Sequence, residues 1–315
     1  MALVLGIDTS NYTTSCALYD SDTNTVLQYK QLLPVKQGEC GIRQSDAVFH
    51  HTRQLPELIK QLFAEHKGKS IDAVCVSVTP RRQEGSYMPC FTVGAGVAQC
   101  IASAMGIPLF DVSHQQGHIA AALYSADKLD MCSERFLAFH VSGGTTEAIL
   151  VTPDKVDVIA CNIVGKTLDL NAGQLIDRVG VLLGLQFPCG AELEKLACLN
   201  TDTVKVRPVL KGTDCCLSGF ENKLTDIYNK TGDKSYTAAV TLSYVEATIS
   251  AMTEKIFEEY SVLPVVYAGG VMSDAIIRDK LNDKFSAFFA QPQYSCDNAV
   301  GVAVLGAIKY KQSSI

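Results

Sequence analysis

No apolar run in this chain is long enough to span a membrane. The opening Met-Ala-Leu-Val-Leu-Gly-Ile-Asp lacks the charged region and cleavage site of a secretory signal, so a first strand and a cytoplasmic location are expected. No C-x-x-C pair occurs among the twelve cysteines, which scatter through apolar stretches as small packing thiols. A disulfide framework is therefore not expected. For Cys296, beside Asp297, a packing thiol is favoured over a soft metal ligand. There is no strict repeat and no low-complexity segment. Neither a G-x-G-x-x-G dinucleotide fingerprint nor a P-loop is present, so any nucleotide is held by another architecture. The net charge of −6 does not favour nucleic-acid binding by the chain as a whole. Local patches, at Arg81-Arg82 or at Lys205, Arg207 and Lys211, or a partner subunit would have to supply the attraction.

What is present starts with size: 315 residues, 47% of them hydrophobic, enough for two domains with substantial cores. Apolar β-prone runs at 3–9 and 14–19 flank the polar turn Asp8 to Thr13, and 25–31 adds a third strand. A helix is expected over 46–66, a buried strand at Val74–Thr79, a helix at Thr92–Met105 and a short strand at Leu109–Val112. The pattern then recurs. Phe136–Val141 and Glu147–Val151 flank Ser142-Gly143-Gly144-Thr145-Thr146, and 156–163 supplies a third strand. Helices are expected at 169–183, 190–199, 218–229, 236–260 and 273–283, with strands at Val265–Ala268 and Phe285–Phe289. A last helix runs from about Asp297 to Lys309. Two such starts, each strand–turn–strand followed by helices, predict a duplicated α/β fold with a cleft between the copies, where ligands usually bind.

Three features carry chemistry. Ser113 is a plausible N-cap for a helix bearing His114 and His118, which four-residue spacing places on one face. Neutral imidazoles bind zinc, iron and related metals. The glutamate of H-E-x-x-H is missing, which argues against zinc-protease chemistry. Asp297 is either an N-cap or the carboxylate that joins the two histidines as a third ligand, leaving positions open for a substrate oxygen. Ser142–Thr146 is either a hairpin turn or a phosphate cradle, its glycines allowing close backbone approach. Gly269-Gly270 follows a strand and opens a helix, either as a tight turn or as a place for a nucleotide against the helix N-terminus.

Together these segments resemble the universal tRNA threonylcarbamoyladenosine synthase family, once called O-sialoglycoprotein endopeptidases, of the actin/sugar-kinase/heat-shock-chaperone ATPase superfamily. The resemblance runs from Gly6 to about Lys309. Gly6-Ile7-Asp8-Thr9-Ser10 resembles the opening turn, Ser113–His118 the metal helix and Val141–Thr146 the second phosphate turn. Gly165–Asp177 resembles G-E-T-x-D-D-A-A-G-E-x-F-D, Gly184–Gly190 resembles G-L-x-Y-P-G-G, and Leu217–Phe220 resembles F-S-G-L. Gly269-Gly270-Val271 and Asp297-Asn298-Ala299 match the remaining motifs.

The resemblance implies two actin/sugar-kinase-like (ribonuclease H-like) domains, 1–130 and 131–296, with the helix at about 297–311 packing back near the cleft. It implies transfer of threonylcarbamoyl from threonylcarbamoyl-adenylate to an adenosine beside the tRNA anticodon, with partner proteins. His114, His118 and Asp297 would bind iron or zinc. His140, Val141, Ser142, Gly143, Gly144, Thr145, Asp177, Gly190, Gly269, Gly270 and Asp274 would line the adenylate (ATP, AMP or threonylcarbamoyl-adenylate) site. Asp8 or Asp177 would assist deprotonation. The chain departs from the family pattern in several places. Tyr12 and Thr13 replace an acidic pair, and Pro80–Gly94 replaces a glycine-rich segment. Lys166 stands for Glu, Leu170 for Asp, and Asp274 for Asn. These departures raise two alternatives: a non-catalytic nucleotide- and metal-binding paralogue acting through a partner, or a carbamoyltransferase (or kinase) with another acceptor. A metalloprotease is the least favoured.

Overall fold

The computed structural model describes residues 2–10, 12–34, 42–68, 70–295 and 297–313. Asn11 of the first polar turn and the thiols Cys40 and Cys296 lie outside these residues. The ten described cysteines are all free. Among the described residues no helix is long and apolar enough to cross a membrane. The chain forms two compact units. One comprises Met1–Glu134, Thr152–Cys161 and Gln293–Ile315; the other comprises Arg135–Val151 and Asn162–Pro292.

In the first unit, β1 (Leu3–Ser10), β2 (Thr13–Asp20) and β3 (Thr25–Leu32) form an antiparallel meander. Helix α1 (Gln44–Glu65) leads to β4 (Ala73–Thr79), which joins β1 in parallel. Helix α2 (Phe91–Met105) leads to β5 (Leu109–Ser113), parallel to β4, and α3 (His114–Ser125) follows at once. The sheet order is β3-β2-β1-β4-β5. All eight residues of β1 are buried, as a central strand covered on both faces requires. Its core is Leu5, Ile7, Leu18, Val74 and Val76 against Leu55, Leu58 and Leu62 of α1 and Ala98 and Ala102 of α2.

The second unit repeats this plan. Its elements are β6 (Phe136–Val141), β7 (Thr146–Asp154) and β8 (Val158–Lys166), of which residues 152–154 and 158–161 count with the first unit, then α4 (Ala172–Leu182), α5 (Gly190–Ala197), β9 (Leu210–Lys211), β10 (Asp214–Cys215), α6 (Ser218–Thr231), α7 (Lys234–Tyr260), β11 (Val265–Ala268), α8 (Ala275–Lys284) and β12 (Ala287–Phe289). Strand β6 is antiparallel to β7 and parallel to β11, which is parallel to β12. The order β12-β11-β6-β7-β8 is the first sheet's order written backwards. Strand for strand, the two units share one topology.

Helix α9 (Val300–Ser313) returns to the first unit and packs on α3, β1 and β4. Glycine permits this: a Cβ on Gly301 would stand 1.9 Å from the carbonyl oxygen of Gly117 in α3. Three expected helix starts move. The helix expected at 169 begins at Ala172, because Asp169 turns its carboxylate to the amides of Leu170 and Leu217. The helix expected at 273 is a 3₁₀ turn, Gly270–Ser273, followed by α8. The last helix starts at Val300, whose amide is met by Asn298 Oδ1 at 3.0 Å, so Asp297 is left outside the helix.

Candidate functional site

Helix α3 begins with a reciprocal cap. Ser113 Oγ accepts from the Gln116 amide and Gln116 Oε1 accepts from the Ser113 amide, as the Ser-x-x-Gln spacing allows. Gln116 also donates to Ile159 O at 2.7 Å, which fixes the first turn of the helix. His114 and His118 follow on one face, with their Nε2 atoms 2.9 Å apart. Asp297 Oδ1 lies 3.1 Å from His118 Nε2 and 3.5 Å from His114 Nε2. Ligand atoms about 2.1 Å from one ion stand about 3.0–3.4 Å apart, so these three edges fit one divalent metal. Two imidazoles and a carboxylate on one face leave the other positions open. Among the described residues this is the group of His, Cys and acidic side chains disposed to hold an ion.

Behind His114 stands Asp8, fully buried in β1. His114 Nδ1 is 3.2 Å from Asp8 Oδ2. Ser10 Oγ donates to the same carboxylate at 2.8 Å, and Ser77 Oγ of β4 donates to its other oxygen. A carboxylate accepting from Nδ1–H fixes the tautomer that turns Nε2 outward. Burial works against charge on both partners, but each stabilises the other. Asp8 is held below the ordinary carboxylate value by His114 and Ser77. His114, half-buried, is lifted to about 10 by Asp8 and Asp297 against the cost of its desolvation. Asp297, half-buried and partly desolvated, is held well below the ordinary value by the two histidines. Without a cation the cluster keeps a proton that metal binding would displace.

The other expected site residues belong to the second unit. His140 to Thr145 close β6 and its turn, and Gly269-Gly270 close the neighbouring parallel strand β11, so both turns lie at strand carboxyl ends. Gly269 (φ 101°) has no room for a side chain, since a Cβ would stand 2.2 Å from Val141 O. Gly143, Gly144, Gly190 and Gly270 face open space, with nothing within 4 Å of an added Cβ. In the turn, Ser142 Oγ accepts from the amides of Gly144 (3.2 Å) and Thr145 (3.1 Å). The N-terminus of α8 is already supplied with anions. Asp274 Oδ1 accepts from the Ile277 amide at 3.0 Å, and Glu194 Oε1 from the Ala275 amide at 2.9 Å. Burial and the nearby Glu194 push Asp274 up to about 6. Asp177 Oδ1 accepts from the Cys189 amide at 2.9 Å, just before Gly190. With Gln174, Arg178, Val181 and Phe187, Asp177 lines an open concavity of about 380 Å³.

Sequence reasoning missed Ser10, Ser77 and Asn298 as supports. Ser77 carried a signal, a hydroxyl inside the apolar run Ala73–Val78. Asn298 carried another, since its buried side chain joins the Val300 amide to the Tyr294 carbonyl at 3.1 Å and frames Asp297.

A duplicated α/β fold carrying a two-histidine, one-carboxylate cluster defines the class: an actin/sugar-kinase-like fold with a candidate metal centre. Solved structures agree on the fold. Full-length HypF in its phosphate- and nucleotide-bound form matches with a TM-score of 0.60 at 14% identity over 99% of this chain, which spans 46% of that one. A ROK family glucokinase from Streptomyces griseus matches with a TM-score of 0.53 at 10% identity, over 97% of this chain and 99% of that one. The model of the tRNA N6-adenosine threonylcarbamoyltransferase family matches residues 24–304. The enzyme of that name from Thermotoga neapolitana is 27% identical over 322 residues, 98% of this chain and 94% of the relative. The chain belongs to the tRNA N6-adenosine threonylcarbamoyltransferase family, a family of transferases.

Proposed function

We propose that this chain transfers the threonylcarbamoyl group of threonylcarbamoyl-adenylate to the N6 amine of an adenosine beside a tRNA anticodon, working with partner proteins in the cytoplasm. The observation that carries the proposal is the convergence of His114 Nε2, His118 Nε2 and Asp297 Oδ1 within 3.5 Å in a member of this family. These residues would hold iron or zinc, which when bound supplies a template and a Lewis acid for the donor's oxygens.

The chain's own groups divide the remaining work. Gly143, Gly144 and Gly270 leave backbone open to the adenylate, and the Ser142–Thr146 turn orients it. Asp274 accepts from a ribose hydroxyl where an Asn would also donate. In the reaction a bond forms from N6 to the carbamoyl carbon, the bond from that carbon to the phosphate oxygen breaks, AMP leaves and N6 gives up a proton. Asp8 orients His114 and takes no proton, because His114, Ser10 and Ser77 already occupy both of its oxygens. Asp177, engaged at Oδ1 alone, is the carboxylate suited to receive the N6 proton.

The test supplies unmodified tRNA and pre-formed threonylcarbamoyl-adenylate, with and without the organism's partner proteins, and reads the nucleoside by mass spectrometry. Modified adenosine that disappears with His114→Ala supports the reading. Its absence beside an active authentic synthase refutes it and leaves the non-catalytic paralogue, which the loss of the acidic pair at Tyr12 and Thr13 and the bulky 80–91 segment favour.

A further inference from the structure

An RNA acceptor is an unusual cargo for a chain of net charge −6. Phosphates must find local positive surface. The Arg81-Arg82 pair does not offer it through Arg82, whose guanidinium pairs with Asp111 and, at 3.1 Å, with Asp157. Lys309 shares that Asp157 at 3.0 Å, so the charge there is largely balanced.

Residues 204–211 differ. Their exposure alternates without a break: positions 204, 206, 208 and 210 are half-buried, and Lys205, Arg207, Val209 and Lys211 are exposed. Val204, Val206 and Leu210 pack on the core of the second unit. Period-two burial is the mark of extended backbone with one face on the protein, and alternate side chains then stand about 6.6–6.8 Å apart. Among the described residues, none of these three cations is held by a carboxylate.

The row ends at the β9–β10 pair. Lys211 stands opposite Asp214, whose Oδ1 accepts from the Lys166 amide at 2.9 Å. Lys166 is exposed and is a fourth cation without an ion-pair partner among the described residues. It stands where the family pattern has Glu, so the departure reverses charge at the end of a basic row. Asp214 is the one opposing carboxylate in that pair of strands.

The row is also tied to the phosphate turn. Thr167 N donates to Thr146 O at 2.9 Å, Leu168 N donates to Cys215 O at 2.9 Å, and Cys215 pairs with Leu210. Three backbone steps of about 4.8 Å bring Leu210, next to the end of the row, within about 15 Å of Thr146.

We infer that Lys166, Lys205, Arg207 and Lys211 form a track for the phosphates of the acceptor RNA, leading to the Ser142–Thr146 turn. The inference rests on the acceptor being a tRNA. The partner is a polyphosphate backbone read by charge and spacing, not by base sequence.

The test is fluorescence anisotropy of an unmodified tRNA transcript against the full chain from about 50 to about 300 mM KCl. The variant replaces all four residues with Gln. Each lost phosphate contact removes about 0.7–0.9 from the slope of log affinity against log salt, so the slope should flatten by about 3 and affinity at 0.1 M salt should fall on the order of 100- to 1,000-fold. The charge-preserving set Lys205→Arg, Arg207→Lys, Lys211→Arg should bind as the parent does. Removing charge at Lys60, Lys67 and Lys311 should change little, and ATP binding should persist throughout, which shows that the variants are folded. A parent chain that binds and modifies tRNA, alongside a fourfold variant with unchanged slope and affinity, overturns the track alone. A parent that neither binds nor modifies tRNA even with its partner proteins overturns the tRNA reading and the track together, whereas a parent that modifies tRNA only with those partners and binds none alone overturns the track. Preferential binding of the parent to anionic phospholipid vesicles, lost in the variant and not competed by tRNA, also overturns it.

Discussion

Replacing Asp274 with Asn should stabilise the protein at neutral pH. The side chain is 8% exposed and caps α8 through Oδ1. Its neighbour Glu194 serves the next amide, so two carboxylates share one helix start. Burial and that neighbour raise Asp274 from 3.8 to about 6. The native state therefore keeps a proton, between about pH 4 and 6, that the unfolded chain has already released. Stability falls with rising pH wherever the native state binds more protons, so the loss builds across that window and is complete above it. For this displacement it amounts to about 2–3 kcal/mol at pH 7. Asn still accepts from the Ile277 amide and is a good N-cap, but carries no charge. Urea unfolding from pH 4 to 8 should give curves that coincide near pH 4 and diverge upward, with Asp274→Asn the more stable. Asp274→Ala should recover the charge term but lose about 1 kcal/mol of cap. A constant offset at every pH, or a less stable Asn variant at pH 7, would refute the reasoning.

His118→Ala removes one of three converging ligand atoms and should abolish stoichiometric metal, read by elemental mass spectrometry on the purified chain. Asp8→Asn leaves the three ligand atoms in place but loosens the orientation of His114, so metal affinity should drop about 10- to 100-fold in a chelator competition; unchanged affinity would show that Asp8 does not position the ring. Gly269→Ala puts a Cβ 2.2 Å from Val141 O at a φ of 101°, and should destabilise by about 1–3 kcal/mol or more in chemical unfolding.

The strands were legible because their apolar runs are bounded by polar turns, and the repeated strand–turn–strand opening foretold two units of one topology. The histidine pair and its Ser113 cap were legible because both follow local spacing rules. Places where side chains compete for backbone groups were less legible. Asp169 commits itself to the Leu217 and Ser218 amides and delays α4. Asn298, not Asp297, meets the first amide of α9. The support of Asp8 was hidden for another reason. Ser77 is 69 residues away in sequence, and only the parallel pairing of β1 with β4 brings the two together.

The departures from the family pattern fall into physically different kinds, and that bears on function. Leu170 is buried in the second core, where its apolar side chain replaces a carboxylate that would have needed partners. Lys166 is exposed at the end of the basic row. The glycine-rich segment has become a loop closed by its own side chains: Thr79 Oγ1 donates to carbonyls of Arg81 and Ser86, and Ser86 Oγ accepts from the Arg81 amide at 3.1 Å. Arg82 then ties this loop to Asp111 and Asp157. None of these changes falls on His114, His118, Asp297 or the open glycines of the two turns. The altered positions are a core position, a charged surface position and a loop, together with Tyr12 and Thr13 after the opening turn and Asp274 at the start of α8. Such a distribution changes what approaches a site more readily than what happens in it. The changes at Lys166 and in the 80–91 loop should therefore tell on the acceptor, and a transfer assay with a panel of unmodified tRNAs should show them as altered tRNA preference, while any change in donor affinity should trace to Asp274 and respond to Asp274→Asn.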